Sequence, residues 1–346
     1  MSTIQAGIVG LGRLGKRYAS DLRWRVRGVS LVAACSLQAE ELAWARSELG
    51  IAHTYLNYEA LLNHQGLDAV FIVSSTSQHV PQLIAALRAG LHVFCEKPLG
   101  ITLADCLQAE AVAARHPTQL AVVGFVRRFD PAYAYAKQQI AAGLIGRPFM
   151  LRSQTVDVDA VAGFQMEFVK SSGGIFHDMN VHDIDLARWF LQSEIQTVFA
   201  AGGAFKHPAF GEAGDADNVV ATCVMENGHI AQFWASRTAA HGHDTQTEII
   251  GTEGVLCVGR NAAAQRVEIL DRYGVRQECV QTFYERFEQA FLLQTQDFID
   301  CLLQGRRPAL QLRDATRATQ AAIALSASLF EGKGVVQTQP LNELEG

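Results

Sequence analysis

The chain has 346 residues, more than a single hydrophobic core normally serves, so two domains are expected. Hydrophobic residues make up 49% and charged residues 18%, a balance that argues against a disordered chain. The formal net charge of −6 gives no support for binding nucleic acid or an anionic membrane surface.

Residues 1–123 alternate short apolar strands with helical stretches. The expected order is a strand over 4–9, a glycine turn, a helix over 14–24, a strand over 30–35 and a helix over 40–49. Strands over 69–74, 91–95 and 120–123 follow, separated by helices over 80–89 and 103–115. Strands that are apolar throughout and separated by helices imply a parallel sheet covered on both faces. Right-handed crossovers then make it a doubly wound α/β (Rossmann) domain.

The first turn carries GxGxxG as Gly10-Leu11-Gly12-Arg13-Leu14-Gly15, after a strand and at the head of a helix. One glycine permits the tight turn, the next lets the backbone approach a pyrophosphate, and the last lets helix and strand pack closely. The helix N-terminus then offers unpaired N–H groups to the phosphates. This pattern predicts dinucleotide binding over a ligand-free glycine turn. An acid for the ribose is expected about 20 residues later, at the end of the second strand. Ser36 stands there instead, and no arginine follows to hold a 2′-phosphate. The choice of NAD or NADP therefore stays open, leaning to NAD.

Glu96-Lys97-Pro98 ends another parallel strand, on the side where ligands bind in open α/β sheets. A lysine there can meet both cofactor and substrate, or merely cap the strand. The Lys97–Pro98 bond is expected to be cis, as a device that aims Lys97 into the cleft.

From residue 124 to 346 the rhythm changes. Strands are expected over 149–157, 197–202, 219–225, 230–237, 246–250 and 255–258, punctuated by turns. Consecutive strands without helices between them favour an α+β domain with a large, open, mostly antiparallel sheet. Helices are expected over 175–191, 284–304 and 312–330. On the first of these, Asp178 and His182 stand at i and i+4 on one face. A neutral histidine can accept an alcohol proton near pH 7, and a nearby carboxylate can orient it. A metal site built from His177, Asp178, His182 and Asp183 is the weaker alternative, because His177 and His182 are five apart and diverge on a helix. No metal is expected.

The first ten residues do not read as a signal peptide, and no apolar run approaches the ~18 residues of a membrane span. The seven cysteines are scattered without a CxxC pair, which predicts reduced thiols and a cytoplasmic protein.

Taken together, GxGxxG, Glu96-Lys97-Pro98, and Ser172-Gly173-Gly174 followed by Asp178, His182, Asp183 and Asp185 resemble the Gfo/Idh/MocA oxidoreductases. Thr76-Ser77-Gln78-His79, Arg127-Arg128-Phe129-Asp130-Pro131 and Gly251-Thr252-Glu253-Gly254 extend the likeness over nearly the whole chain. The resemblance implies that His182 accepts the alcohol proton, that Asp178 binds substrate and tunes His182, and that Lys97 binds the reacting oxygen. The carbinol hydrogen would pass as hydride to the nicotinamide. It places Gly10, Gly12, Arg13, Leu14, Gly15, Ser36, Ser75, Thr76, His79, Glu96 and Lys97 against the cofactor, and Arg127, Asp157 and His243 against a polyol or sugar. Near His243 the inositol enzymes more usually carry a tyrosine, a departure that bears on the exact substrate. Myo- or scyllo-inositol is the favoured substrate. Another sugar dehydrogenase, or a non-catalytic NAD(P)-binding sensor, are the alternatives. The same resemblance implies a homodimer or homotetramer formed through the open sheet.

Overall fold

The structure, a computed structural model, describes residues 3–338 apart from Arg266. Two compact units form: one takes in the chain up to Phe129 together with Gln289–Thr319, the other Asp130–Glu288 together with the chain from Gln320.

In the first unit the chain runs β1 (Ile4–Val9), α1 (Arg13–Trp24), β2 (Val29–Cys35), α2 (Ala39–Leu49), β3 (His53–Tyr55) and α3 (Tyr58–Leu62). It continues through β4 (Ala69–Ile72), α4 (Thr76–Arg88), β5 (His92–Cys95), α5 (Leu103–Arg115) and β6 (Ala121–Val123). The six strands pair in parallel in the order β3-β2-β1-β4-β5-β6. That order reverses direction between β1 and β4, the switch point where doubly wound sheets open a crevice at their carboxyl ends. Ala69, Val70, Phe71 and Ile72 of β4 are all fully buried, as a strand covered on both faces requires.

The second unit holds α6 (Pro131–Ala141), β7 (Pro148–Val158), α7 (Ala162–Ser172), α8 (Val181–Leu191), β8 (Ile195–Gly203), α9 (Pro208–Glu212), β9 (Asn218–Met225) and β10 (Ile230–Ala239). It adds β11 (Asp244–Gly251), β12 (Val255–Val258), and the small hairpin of β13 (Ile269–Asp271) and β14 (Gly274–Arg276). The chain then forms α10 (Phe283–Gln304), α11 (Leu312–Phe330) and β15 (Val336–Gln337). The large sheet has the order β12-β11-β7-β10-β9-β8-β15. Its neighbours pair antiparallel except β7 with β10, which run parallel. Side chains alternate as a half-covered sheet demands: Val219, Ala221, Cys223 and Met225 of β9 are buried, and Val220 and Val224 are exposed. On the uncovered face Phe199, Val220, Ile230 and Trp234 lie between 39% and 54% exposed.

The fold is thus a Rossmann α/β unit and an α+β unit with a mostly antiparallel sheet, as expected. Two local expectations need correction. The segment 175–191 is not one regular helix: Phe176–Asn180 forms a π-turn before α8 begins. Gly173 and Gly174, at φ +84° and +88°, turn the chain into it, and a Cβ at Gly173 would lie 3.0 Å from the His177 ring. The late helices also do more than close the second unit. Phe298 of α10 packs on Phe71 and Phe94 of the parallel sheet, with ring centroids 5.6 and 5.8 Å apart. Burying such a ring contributes about 1.5–3 kcal/mol, and each aromatic pair about 0.5–1.5 kcal/mol more.

Candidate active site

The glycine turn is shaped by contact. A Cβ on Gly10 would sit 2.4 Å from the Val73 carbonyl oxygen, and one on Gly15 would sit 1.9 Å from the Gly10 carbonyl oxygen. Gly10 also takes φ +87°, which glycine tolerates best. Gly12 differs, because a Cβ there would meet nothing within 4 Å. The space above it is open, and Gly12 is the N-cap of α1, with no side chain of its own to cap the helix. A positive dipole end and open space together fit a pyrophosphate. Arg13 is exposed beside this opening, and Leu14 is half-buried.

Around the glycine turn stand the other strand ends. Ser36, at the end of β2, is 5% exposed and donates to Glu41 Oε2 at 2.5 Å. After β4, Ser75 is exposed at the start of α4, and Thr76 and His79 are buried. The His79 ring bridges two backbone oxygens, 2.7 Å from the Pro98 carbonyl and 3.1 Å from the Ser74 carbonyl. Burial pulls its proton affinity down, against the pull of those two carbonyls.

After β5, Lys97–Pro98 is cis, as the sequence led us to expect. Glu96 is buried beneath it: Oε1 accepts from the Tyr18 hydroxyl at 2.5 Å, and Oε2 accepts the Lys97 amide at 3.0 Å. Gln294 in turn donates to the Tyr18 oxygen at 2.6 Å. Burial raises the carboxyl pKa of Glu96, opposed by the Tyr18 hydrogen bond and the Lys97 charge. The chemistry of Glu96 and His79 is therefore directed at the backbone that carries Lys97. Lys97 itself is half-buried, and Arg127 is only 2% exposed on the short helical turn Val126–Phe129.

In the second unit Asp178 lies on the π-turn, and His182 is the second residue of α8. Arg237, fully buried on β10, faces Asp178: one terminal nitrogen is 3.7 Å from Asp178 Oδ2. The other donates to Asp215 Oδ2 at 2.6 Å and to the Ala216 carbonyl at 2.9 Å. Asp215 also accepts the Ile175 amide at 3.0 Å, which fastens the start of the π-turn to the same network. Neither Arg237 nor Asp215 emerged from the sequence reading. The signal was there, since Arg237 falls in phase with the buried Ala231, Phe233 and Ala235 of its strand.

Asp183 is turned away from this cluster. Its carboxylate accepts from Ser153 at 2.7 Å, Thr155 at 2.8 Å and Asn180 at 2.9 Å, and so pins α8 to β7. No group of three His, Cys, Asp or Glu side chains fit to hold a metal ion occurs among the described residues. The structure does join Asp157 and His243: Nδ1 lies 2.7 Å from Asp157 Oδ1, and Nε2 lies 2.9 Å from the Thr245 hydroxyl. Gln165 of α7 donates to the other Asp157 oxygen at 2.7 Å.

A doubly wound sheet with an open glycine cradle fits a dinucleotide-binding protein, and the mixed-sheet unit that follows it in sequence carries buried acids and histidines. Residues 4–125 match the model of the oxidoreductase family with an NAD-binding Rossmann fold, and residues 133–257 match the GFO/IDH/MocA C-terminal domain. The chain belongs to the GFO/IDH/MocA oxidoreductase family. It is an NAD(P)-dependent dehydrogenase acting on CH–OH groups. A scyllo-inositol 2-dehydrogenase (NAD(+)) of Bacillus subtilis is 36% identical to it over 335 residues, with 96% of each chain covered. A myo-inositol 2-dehydrogenase of Thermotoga maritima is 31% identical, covering 96% of this chain and 98% of its own. Among solved structures, scyllo-inositol dehydrogenase from Lactobacillus casei with bound NAD(H) and scyllo-inositol superposes with a TM-score of 0.94. It is 38% identical, with 97% of this chain and 99% of that one covered.

Proposed function

We propose that the protein oxidises a ring hydroxyl of an inositol, myo- or scyllo-, with Lys97, Asp178 and His182 as its catalytic set. The observation that supports this best is the likeness, over 96% of the chain, to proteins named scyllo- and myo-inositol 2-dehydrogenase. Those residue types suit the chemistry, because a secondary alcohol must lose both a proton and a hydride.

NAD, when bound, supplies the hydride acceptor. The Lys97 ammonium binds the reacting oxygen and favours loss of its proton. His182 takes that proton as general base. Asp178, held at one edge by Arg237, hydrogen-bonds the substrate and orients His182. Arg127, Asp157 and His243 contact further hydroxyls, and the Asp157–His243 pair is preorganised to present a fixed donor–acceptor pattern to them. Gly10, Gly12, Arg13, Leu14, Gly15, Ser36, Ser75 and Thr76 line the nucleotide, while Glu96 and His79 position Lys97.

In this division of labour residues 1–123 bind the nucleotide, and residues 124–346 bind the polyol and pair with a second copy through the open sheet. A large uncovered apolar face favours such pairing. Work in the cytoplasm is part of the same proposal; the seven cysteines are free thiols, five of them buried.

The test is reduced-nicotinamide absorbance with a panel of polyols and sugars. Reduction of NAD by an inositol, well above that by glucose, galactose or sorbitol, is expected. Turnover of another sugar alone would replace the substrate, and tight NADH binding without any turnover would favour a sensor.

A further inference from the structure

We infer that Glu41, on the helix after the second strand, supplies the carboxylate that the strand end itself lacks, and so makes the site selective for NAD over NADP. The inference goes beyond the family's cofactor class to a residue and a preference.

In a doubly wound nucleotide site the acid after the second strand binds the adenosine ribose diol and repels a 2′-phosphate. Here that position is Ser36, an uncharged residue. Its hydroxyl is not idle: it accepts the Gln38 amide at 3.0 Å and donates to Glu41 Oε2 at 2.5 Å. The serine thus draws a helix-borne carboxylate back to the end of β2. That strand end adjoins the glycine turn, since the Gly10 amide donates to the Cys35 carbonyl at 2.9 Å. One Glu41 oxygen is used by Ser36. The other accepts no hydrogen bond among the described residues, and the side chain is half-buried, which leaves it available to a diol.

A plainer role exists, because acids in the first turn of a helix favour its dipole. Glu40 fills that role equally, yet it is exposed and makes no hydrogen bond among the described residues, whereas Glu41 is directed at Ser36. A 2′-phosphate carries nearly two negative charges at neutral pH, and like charges set against one another in a site cost affinity steeply. Lys16 on α1 stands over Trp44 of the same helix as Glu41, with its ammonium 5.1 Å from the ring centroid.

Isothermal titration with NADH and NADPH, on the whole protein without substrate, tests this. The wild type should bind NADH at least about 100-fold more tightly than NADPH. Glu41→Gln keeps a partner for Ser36 and removes the charge; it should tighten NADPH binding about tenfold while NADH weakens only a few-fold. Glu41→Arg should go further and bring the two affinities close together. The melting temperature of each variant serves as the folding control. An unchanged NADH-to-NADPH ratio in well-folded Glu41→Gln and Glu41→Arg would overturn the inference. Failure of the wild type to bind either nucleotide would overturn the nucleotide site itself, and the inference with it.

Discussion

Gly12 separates what the glycine turn does for folding from what it does for a ligand. A methyl at Gly15 would run into the Gly10 carbonyl, so Gly15→Ala should cost stability, by about 1–3 kcal/mol as an overpacked contact does. A methyl at Gly12 meets only open space at φ −65°, a backbone setting that any residue adopts. Gly12→Ala should therefore keep its unfolding free energy within about 1 kcal/mol of wild type. Its NADH affinity should still fall at least about tenfold, because the methyl stands where the pyrophosphate approaches. Calorimetric melting and NADH titration check both halves, and unchanged affinity in Gly12→Ala would remove that placement. At this scale the glycine turn was legible, since it sits in a motif of fixed spacing; Lys97, Asp178 and His182 were singled out by motifs of the same kind, and their roles belong to the proposal. Asp215 and Glu41 were not legible, and of Arg237 only its burial was. Their partners lie between 5 and 59 residues away in sequence, and nothing local announces a salt bridge or hydrogen bond of that kind.

At the scale of elements, the loop before α9 hangs on one side chain. Asp217 is fully buried and accepts the amides of Phe205 at 2.9 Å, Lys206 at 2.8 Å and His207 at 2.8 Å, as well as Asn218 Nδ2 at 3.1 Å. Burial alone would raise its pKa, but those four donors outweigh it and hold the carboxyl below its ordinary value. A depressed folded-state pKa adds stability that is present above the unfolded pKa and is lost as pH falls through the folded value. Asp217→Asn should thus cost about 1.5–3 kcal/mol at pH 7. The gap between variant and wild type should narrow as the pH drops below about 4. A constant gap from pH 7 to pH 3 in denaturant melts would contradict that reading. Sequence periodicity missed α6 and α7, of eleven residues each, and several short elements: β3 has three residues and α3 and α9 have five each. Runs that brief carry no period to detect. The π-turn escaped for another reason, because widening one turn by a residue leaves the apolar spacing of α8 intact.

At the scale of the molecule, parallel and mixed sheets were foreseeable from whether helices separate the strands. What could not be read is where residues 289–319 belong, since an amphipathic helix shows that it covers something but not which sheet. The open face of the second sheet carries the proposal of self-association. Trp234 stands there opposite Val220 in the strand register, both well exposed. Trp234→Glu puts a charge amid that face and should shift the sedimenting species from dimer or tetramer toward monomer, with the melting temperature little changed. A wild type that sediments as a monomer would end that proposal. The proposed reaction requires this cradle and this acid–base set to work together on a polyol. The most direct measurement is the rate of NADH formation with saturating NAD and scyllo- or myo-inositol, for the wild type and for Lys97→Ala and His182→Ala. We expect turnover in the wild type, a fall in kcat of about 10²–10⁴ in each variant, and NADH binding that persists in both. Reduction that proceeds undiminished in both variants, or no reduction by any inositol, would contradict it.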